Sequence, residues 1–304
     1  MIVYPNCKIN LGLRVIRKRE DGYHNLETIF VPIYGLHDEL EVMVNGEWTN
    51  GECAKEGNGC SFVQEGITVD CKEEDNLIIR CYRLMRSKYP QIGPVSIRFK
   101  KNIPFGAGLG GGSSDAAHMA IILNELFSLG LNREQLAAEV RPLGADCPFF
   151  IYNTPCYAEG IGDVLTPITL EWKDLRIIMV KPNEGVSTRE AYASIIRHPD
   201  TEGQISSLLR HHNGLGTDIF LTHSELFVND FEQMVFPLHP SIAQIKKRLL
   251  EAGALYASMS GSGSTVFGLF ENNPESRSNA ELRLFEQEFA SMILLNDTFG
   301  EWKS

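Results

Sequence analysis

The feature that most constrains this chain is a run of glycines between a predicted strand and a predicted helix. Five of the seven residues 106–112 are glycine. Glycine loses more backbone entropy on folding than any other residue, so such a run is costly unless a ligand must approach the backbone. Peptides without side chains can turn several N–H groups toward one anion, and a following helix adds its positive dipole end. The run predicts a phosphate-binding loop, and a flexible surface turn is the alternative.

The segments on either side of the run have different periodicities. Apolar and polar side chains alternate over residues 95–100, which predicts a strand. After the run, Ser113 or Ser114 is predicted to cap a helix, and Asp115 is interpreted as a first-turn charge that complements the helix dipole. The predicted apolar face of this helix consists of Ala116, Met119, Ala120, Leu123 and Phe127.

Further elements follow from periodicity and capping residues. Strands are predicted over residues 40–44 and 177–180, and on both sides of residues 260–263. Helices are predicted from Asn132, with Gln135 completing a capping box, around Ile242, Ile245 and Leu249, and near residues 281–289. The elements lack the regular spacing of a doubly wound sheet. We therefore expect an α+β fold in two lobes, with domains over residues 1–160 and 161–304.

Charge and composition narrow the class of function. The chain has 28 Lys and Arg against 39 Asp and Glu, a formal net charge of -11 and 43% hydrophobic residues. That balance is globular, and the excess of acid argues against nucleic acid or an anionic membrane as the main partner. Seven cysteines without a Cys-x-x-Cys motif favour thiols in a reducing cytosol. With neither a leader nor an apolar run near the ~18 residues of a membrane helix, a cytoplasmic protein is expected.

Two common phosphate-binding motifs fit the glycine run poorly. A P-loop needs lysine before the Ser/Thr, and Gly112 occupies that position. Gly106, Gly108 and Gly111 match the G-x-G-x-x-G of dinucleotide-binding folds, but that fold requires an acidic strand end about 20 residues further on. The residues at that distance, around Asn132, are typical of a turn and a helix start. A nicotinamide or flavin enzyme is therefore disfavoured.

Six segments together resemble the GHMP kinases, the family that includes galactokinase, homoserine kinase and mevalonate kinase. They are residues 6–11 (NCKINL), 21–26 (DGYHNL), 104–117 (PFGAGLGGGSSDAA), 144–150 (GADCPFF), 160–163 (GIGD) and 258–265 (SMSGSGST). The resemblance extends from residue 3 to about residue 270. There are departures, because Asn6 and Cys7 replace the usual Pro-Ala and Cys147 replaces the usual valine. Residues 52–61 and 198–216 are not explained by the family pattern.

The resemblance implies a two-lobed α+β GHMP kinase fold, with an N-terminal lobe like domain 2 of ribosomal protein S5 and a ferredoxin-like C-terminal lobe. It implies that ATP, with Mg²⁺, donates a phosphoryl group to the 2-hydroxyl of a cytidine-diphosphate-linked methylerythritol in non-mevalonate isoprenoid biosynthesis. Another GHMP kinase, acting on homoserine, mevalonate or a sugar, is the alternative, and a non-catalytic nucleotide-binding protein is a third. The implied partners are small molecules, and the chain is expected to be a monomer or a homodimer.

The resemblance also implies roles for individual residues. Asp146 would be the general base, and a helix-end or turn carboxylate is its alternative. Lys8 would be its charged partner, and a solvated strand-end lysine is the alternative. The predicted ATP-binding residues are Pro104, Phe105, Gly106, Ala107, Gly108, Leu109, Gly110, Gly111, Gly112, Ser113 and Ser114. The predicted substrate-binding residues are Asn10, Tyr23, His24, Phe30, Thr188, Tyr192, Gly261 and Ser262. Ser114 is also the candidate Mg²⁺ ligand, and its alternative role is only to cap the helix. The alternative for Phe30 is a plain role in the core. The alternative for residues 260–263 is a tight hairpin without a ligand.

Overall fold

A computed structural model describes residues 1–44, 59–68, 72–172, 174–193, 195, 197–273 and 279–299. The strands are β1 (Ile2–Val3), β2 (Asn6–Lys18), β3 (His24–His37), β4 (Glu39–Val44), β5 (Cys60–Gly66), β6 (Val95–Lys101), β7 (Cys156–Glu159), β8 (Val164–Pro167), β9 (Leu170–Glu171), β10 (Leu175–Val180), β11 (Leu215–Gly216), β12 (Tyr256–Met259), β13 (Val266–Glu271) and β14 (Ile293–Thr298).

The α-helices are α1 (Leu77–Lys88), α2 (Gly111–Leu126), α3 (Arg133–Val140), α4 (Cys147–Tyr152), α5 (Thr188–Ala193), α6 (Gln204–His212), α7 (Thr217–Thr222), α8 (Glu232–Leu238), α9 (Pro240–Glu251) and α10 (Ala280–Glu288). Short 3-10 turns lie at Glu73–Asp75, Arg141–Leu143, Pro199–Thr201 and Ser224–Leu226. The chain forms two compact units. Unit 1 comprises Met1–Cys7, Leu36–Phe105 and Gly110–Asn153, and unit 2 comprises Lys8–Gly35, Gly106–Leu109 and Thr154–Ser304.

The units are not consecutive in sequence, because residues 8–35 associate with the C-terminal segments. The division into domains at residue 160 stays a prediction. The two compact units are defined by contacts, and each combines segments from both sides of other boundaries in the sequence. Of the unexplained segments, residues 52–58 lie outside the described part, as do Cys53 and Cys71. Among described residues, no helix is long and apolar enough to cross a membrane. The cysteines described as thiols rather than disulfides are Cys7, Cys60, Cys81, Cys147 and Cys156.

Unit 1 contains the sheet β1-β4-β6-β5, on which the predicted alternation is confirmed. β4 and β6 are antiparallel, with Leu40 opposite Phe99 and Val42 opposite Ile97. All four side chains are buried because alternate residues of a strand point to the same face. Helix α2 packs against α1 and α4 in the same unit. Strand β6 ends at Lys101, so the chain enters the glycine run directly from the sheet.

The start of α2 differs from the prediction. The helix begins at Gly111, and Gly110 precedes it with a left-handed φ of 70°. Ser113 and Ser114 are therefore inside the helix, and neither is its N-cap. The interpretation of Asp115 as a first-turn charge is also wrong, because it lies in the second turn, where its side chain is buried and accepts a hydrogen bond from Lys101 Nζ. Helical turns can include the last glycines because the packing of α2, rather than residue propensity, stabilises them.

Other helix boundaries agree closely with the sequence. Asn132 caps α3 and forms a full capping box with Gln135. Helix α9 buries Ile242, Ile245 and Leu249, as their spacing predicts. The helix predicted near residues 281–289 is α10, displaced by one residue.

Unit 2 contains two four-stranded sheets, β2-β3-β7-β8 and β12-β13-β10-β14, and the pair β9-β11. In the second sheet β10 is antiparallel to both neighbours. Its apolar face packs against α9 and α10 in a core that includes Ile178, Val180, Leu249 and Phe285. Each fully buried side chain of this size contributes about 1.5–3 kcal/mol relative to an exposed one. This core supports the turn of residues 260–265 between β12 and β13.

Candidate active site

Lys8 and Asn10 lie on one face of β2 in unit 2. Lys8 is 4% exposed, and its Nζ donates a hydrogen bond to Asn10 Oδ1 at 2.6 Å. Asn10 in turn donates from Nδ2 to Thr28 Oγ1 at 3.1 Å, which fixes the orientation of its amide. The ammonium also lies 4.6 Å from the centroid of the Phe30 ring, a cation–π geometry. Lys8 is thus a buried, oriented cation and not a solvated strand-end lysine.

Residues 106–109 pack backbone to backbone against the turn of residues 260–265. Ser260 Oγ donates to the Gly108 carbonyl at 2.9 Å, and Thr265 N donates to the Ala107 carbonyl at 3.3 Å. Lys8 N donates to the Leu109 carbonyl at 3.0 Å. A Cβ on Gly108 would lie 2.0 Å from the Ser260 carbonyl oxygen. Glycine is required at position 108 because a second backbone occupies the space of its side chain.

Two residues without a predicted role hold this turn in place. Asn229 is fully buried, and its Nδ2 donates to the carbonyls of Met259 (2.6 Å) and Gly261 (2.8 Å). Glu232 Oε1 accepts a hydrogen bond from Met259 N at 2.8 Å. The sequence did not reveal Asn229 and Glu232, because their hydrogen-bond partners lie 30 and 27 residues away along the chain.

An aromatic pair in unit 2 joins two predicted substrate-binding residues. The rings of His24 and Tyr192 are stacked, with centroids 5.2 Å apart and an interplanar angle of 20°. Partial burial, aided by Arg197 and Lys18, lowers the pKa of His24, so the neutral imidazole is favoured near pH 7. The rings of Tyr192 and Phe231 are also perpendicular, with centroids 4.8 Å apart. This ring pair is a preformed aromatic surface.

The other predicted substrate-binding residues have varied surroundings. Thr188 Oγ1 and Ser262 Oγ are hydrogen-bonded at 2.7 Å, so α5 and the turn after β12 are joined. Tyr23 is 61% exposed in the turn before β3, where Asp21 Oδ1 accepts a hydrogen bond from its backbone N at 3.0 Å. Phe30 is 2% exposed, so its contact with Lys8 is made from within the core. Stacking of Phe30 on a base stays a prediction.

The glycine run is open at one end and closely packed at the other. Gly106 has a φ of +64°, and an added Cβ would meet nothing within 4 Å, while the neighbouring Phe105 is 69% exposed. The following helix has 16 residues, so it provides a full set of N-terminal N–H groups and a dipole.

Ser114 is fully buried, and its Oγ lies 3.3 Å from His118 Nδ1. Its role as a metal ligand stays a prediction.

Asp146 lies in unit 1 immediately before α4. It is half-buried, and its carbonyl accepts a hydrogen bond from Phe149 N at 3.2 Å, with Pro148 in the first helical turn. Burial, reinforced by the charge of Asp146, raises the pKa of Cys147 to about 12, so this thiol stays neutral. Lys8 belongs to unit 2 and Asp146 to unit 1. The pairing of the two stays a prediction.

The sequence matches two family descriptions. Residues 76–154 match GHMP kinases N terminal domain, and residues 205–289 match GHMP kinases C terminal. A curated protein of Bacteroides thetaiotaomicron is 46% identical over 271 residues, which cover 89% of this chain and 92% of that protein. Its name is 4-diphosphocytidyl-2-C-methyl-D-erythritol kinase.

Solved structures agree with these matches. A crystal structure of 4-(cytidine 5'-diphospho)-2C-methyl-D-erythritol kinase superposes with a TM-score of 0.73 and 30% identity, and covers 99% of both chains. A homoserine kinase from Cytophaga hutchinsonii superposes with a TM-score of 0.67 at 17% identity, covering 89% of this chain and 87% of that one. At that identity the second likeness concerns the fold alone.

Proposed function

Because this chain belongs to the GHMP kinase family, we propose that it transfers the γ-phosphoryl group of ATP to the 2-hydroxyl of 4-diphosphocytidyl-2-C-methyl-D-erythritol. The observation that carries the choice of acceptor is the stacked pair of His24 and Tyr192. A nucleobase can extend such a stack, and base–aromatic stacking contributes about 1–3 kcal/mol per base. Homoserine and mevalonate have no ring to use it.

The phosphate groups of ATP are assigned to the glycine run. Phosphoryl transfer needs positioning and charge stabilisation more than covalent help from the protein. Backbone N–H groups of the run and the N-terminus of α2 supply partial positive charge without requiring a cationic side chain. This explains how a chain with a formal net charge of -11 binds a polyanion.

Lys8 and Asp146 are assigned to the reacting hydroxyl. Asp146 accepts the hydroxyl proton as the oxygen attacks the γ-phosphorus, the bond from that phosphorus to the β,γ-bridging oxygen breaks, and ADP leaves. Lys8 supplies a fixed positive charge, because Asn10 and Phe30 orient its ammonium. Two unit charges about 4 Å apart interact by about 4 kcal/mol at an effective dielectric of 20, so a correctly placed lysine matters to the transition state.

We propose Mg²⁺ as the ion that accompanies ATP, held mainly by the nucleotide itself. Mg²⁺ in such sites usually binds substrate phosphates and only one or two carboxylates. In the described ranges, no three His, Cys, Asp or Glu side chains are grouped to hold a metal ion. The ion would neutralise phosphate charge, and we assign no step of the reaction to it.

A comparison of acceptors tests the function directly. With ATP and Mg²⁺, we expect phosphorylation of 4-diphosphocytidyl-2-C-methyl-D-erythritol and none of homoserine, mevalonate or galactose, measured by coupled ADP release and by mass of the product. Turnover of homoserine or mevalonate without turnover of the cytidyl compound would identify a different kinase of the family. ATP binding without transfer to any acceptor would favour the non-catalytic alternative.

The aromatic pair gives a second test. Replacing Tyr192 with leucine is expected to raise the KM for the cytidyl acceptor about tenfold, because one stacking surface worth roughly 1–3 kcal/mol is removed. The KM for ATP should not change. Tyr192→Phe is the matched control, since it keeps the ring beside His24 and should keep the wild-type KM. Equal acceptor KM values for the leucine and phenylalanine variants would exclude Tyr192 from base binding.

A further inference from the structure

A buried cluster of three charged residues lies in unit 1, where the chain leaves β6. Lys101 is 3% exposed, and its Nζ donates hydrogen bonds to Asp38 Oδ2 at 2.5 Å and to Asp115 Oδ2 at 2.9 Å. Asp38 is fully buried, and Asp115 is 3% exposed. None of the three has a predicted role in the reaction. Buried charges are costly unless they are paired, so the cluster requires a physical explanation.

Asp38 fixes the backbone at the start of the segment that contains the glycine run. Its Oδ1 accepts hydrogen bonds from the backbone N–H groups of Asn102 (2.6 Å) and Ile103 (2.8 Å). The backbone N of Asp38 donates to the Pro5 carbonyl at 2.9 Å. One carboxylate therefore joins the lysine at the end of β6 to the first two residues beyond the strand.

Asp115 belongs to the other end of the same segment, in the second turn of α2. Residues 102–115 thus leave the cluster at Asn102 and return to it at Asp115. The first residue of α2 also lies against the cluster. A Cβ on Gly111 would lie 3.1 Å from Lys101 Nζ and 2.9 Å from Ile103 Cγ2. Glycine at position 111 lets the helix start directly above the ammonium group.

The charges of the cluster balance if one carboxyl group keeps its proton. Burial raises the pKa of Asp115 well above its ordinary value; Lys101 opposes this shift, and the nearby charge of Asp38 adds to it. Burial alone would lower the pKa of Lys101, but Asp115 and Asp38 raise it. Asp115 Oδ1 accepts no hydrogen bond from the described residues, which disfavours an ionised carboxylate at this site. One ammonium, one carboxylate and one carboxylic acid give a neutral cluster.

We propose that Asp38, Lys101 and Asp115 are positioning residues that hold both ends of residues 102–115, the segment that contains the glycine run. The N–H groups of the run are then arranged for ATP before the nucleotide binds. A loop that is ordered in advance loses less conformational entropy on binding, and that saving appears as affinity. ATP as the ligand of this loop is the one part that rests on the proposed function. Neither Asp38 nor Asp115 is required to touch the nucleotide.

Asparagine substitutions separate the two carboxyl groups. Asp38→Asn keeps the shape, but one oxygen cannot accept from Lys101 and from both backbone N–H groups, so a donor faces a donor in either orientation of the amide. We expect ATP affinity to fall at least tenfold. Asp115→Asn keeps an oxygen that can accept the hydrogen bond from Lys101, and we expect ATP affinity within threefold of wild type.

The measurement is the Kd of ATP by calorimetry, together with the KM for ATP and for the cytidyl acceptor. Asp38→Asn should raise the Kd and the KM of ATP and leave the acceptor KM within twofold. Glu139→Gln is the matched control, since it breaks an ion pair with Lys88 elsewhere in unit 1 and should lower only the Tm. A folded Asp38→Asn protein with wild-type ATP affinity overturns the proposal.

If Asp38→Asn does not fold, Asp115→Ala decides the question. This variant removes the hydrogen bond between Lys101 and Asp115 of α2, and it leaves Asp38 hydrogen-bonded to Lys101 and to the backbone. A tenfold weaker Kd for ATP supports the proposal, and an unchanged Kd overturns it. A wild-type protein that binds ATP without phosphorylating the cytidyl acceptor refutes the proposed function only. The Kd of ATP can still be measured for each variant, so the proposal on the cluster is still tested. A wild-type protein that does not bind ATP overturns both.

Discussion

Replacing Asp146 with asparagine is expected to lower turnover about 10²–10⁴-fold, the usual contribution of a general base. The amide keeps the size of the side chain and cannot accept the hydroxyl proton. ATP binding should be largely kept, because the phosphates are assigned to the glycine run and not to this carboxylate. The measurement is kcat with the cytidyl acceptor at saturating ATP, alongside the Kd of ATP.

A control for this substitution is Asp218→Asn, which changes an exposed carboxylate in the first turn of α7. Its turnover should stay within twofold of wild type. If Asp146→Asn also keeps wild-type turnover, Asp146 is not the base and the hydroxyl loses its proton by another route. If the asparagine variant loses ATP binding as well, the role of Asp146 is structural.

Replacing Gly108 with alanine is expected to lower kcat/KM for ATP at least about 100-fold, since displacements near 1 Å can cost that much in a positioned site. The new Cβ would lie 2.0 Å from the Ser260 carbonyl oxygen, and the neighbour is backbone that cannot rotate away. Residues 106–109 or the turn after β12 must move, and the hydrogen bond from Ser260 Oγ to Gly108 is lost.

Gly106→Ala separates the clash from the backbone strain. Its φ of +64° resembles the +75° of Gly108, so both alanines carry a left-handed cost of about 1–2 kcal/mol. An added Cβ at Gly106 meets nothing within 4 Å. We expect a much smaller loss of kcat/KM for Gly106→Ala, with both proteins shown to be folded by circular dichroism. Equal losses in the two variants would mean that the contact with Ser260 is unimportant.

Much of the fold was predictable because its signals are local. Alternation identified β4 and β6, and the capping box located the start of α3 within one residue. The two-lobed α+β fold of the GHMP kinases, implied by six short segments, is confirmed by the family matches and by the solved structure that covers 99% of the chain. The start of α2 was predicted wrongly, since propensity favours serine caps and tertiary packing placed Gly111 in the helix.

The sequence by itself determined the class of chemistry. Glycines at positions 106–112, with a strand before them and a helix after them, predict an anion-binding backbone. Only the tertiary structure decided which side chains support it. Asp38 and Lys101 are 63 residues apart, and Ser260 lies 152 residues from Gly108. Such pairs leave no periodic trace, because their energies arise from burial and hydrogen bonds that exist only after the distant segments have packed.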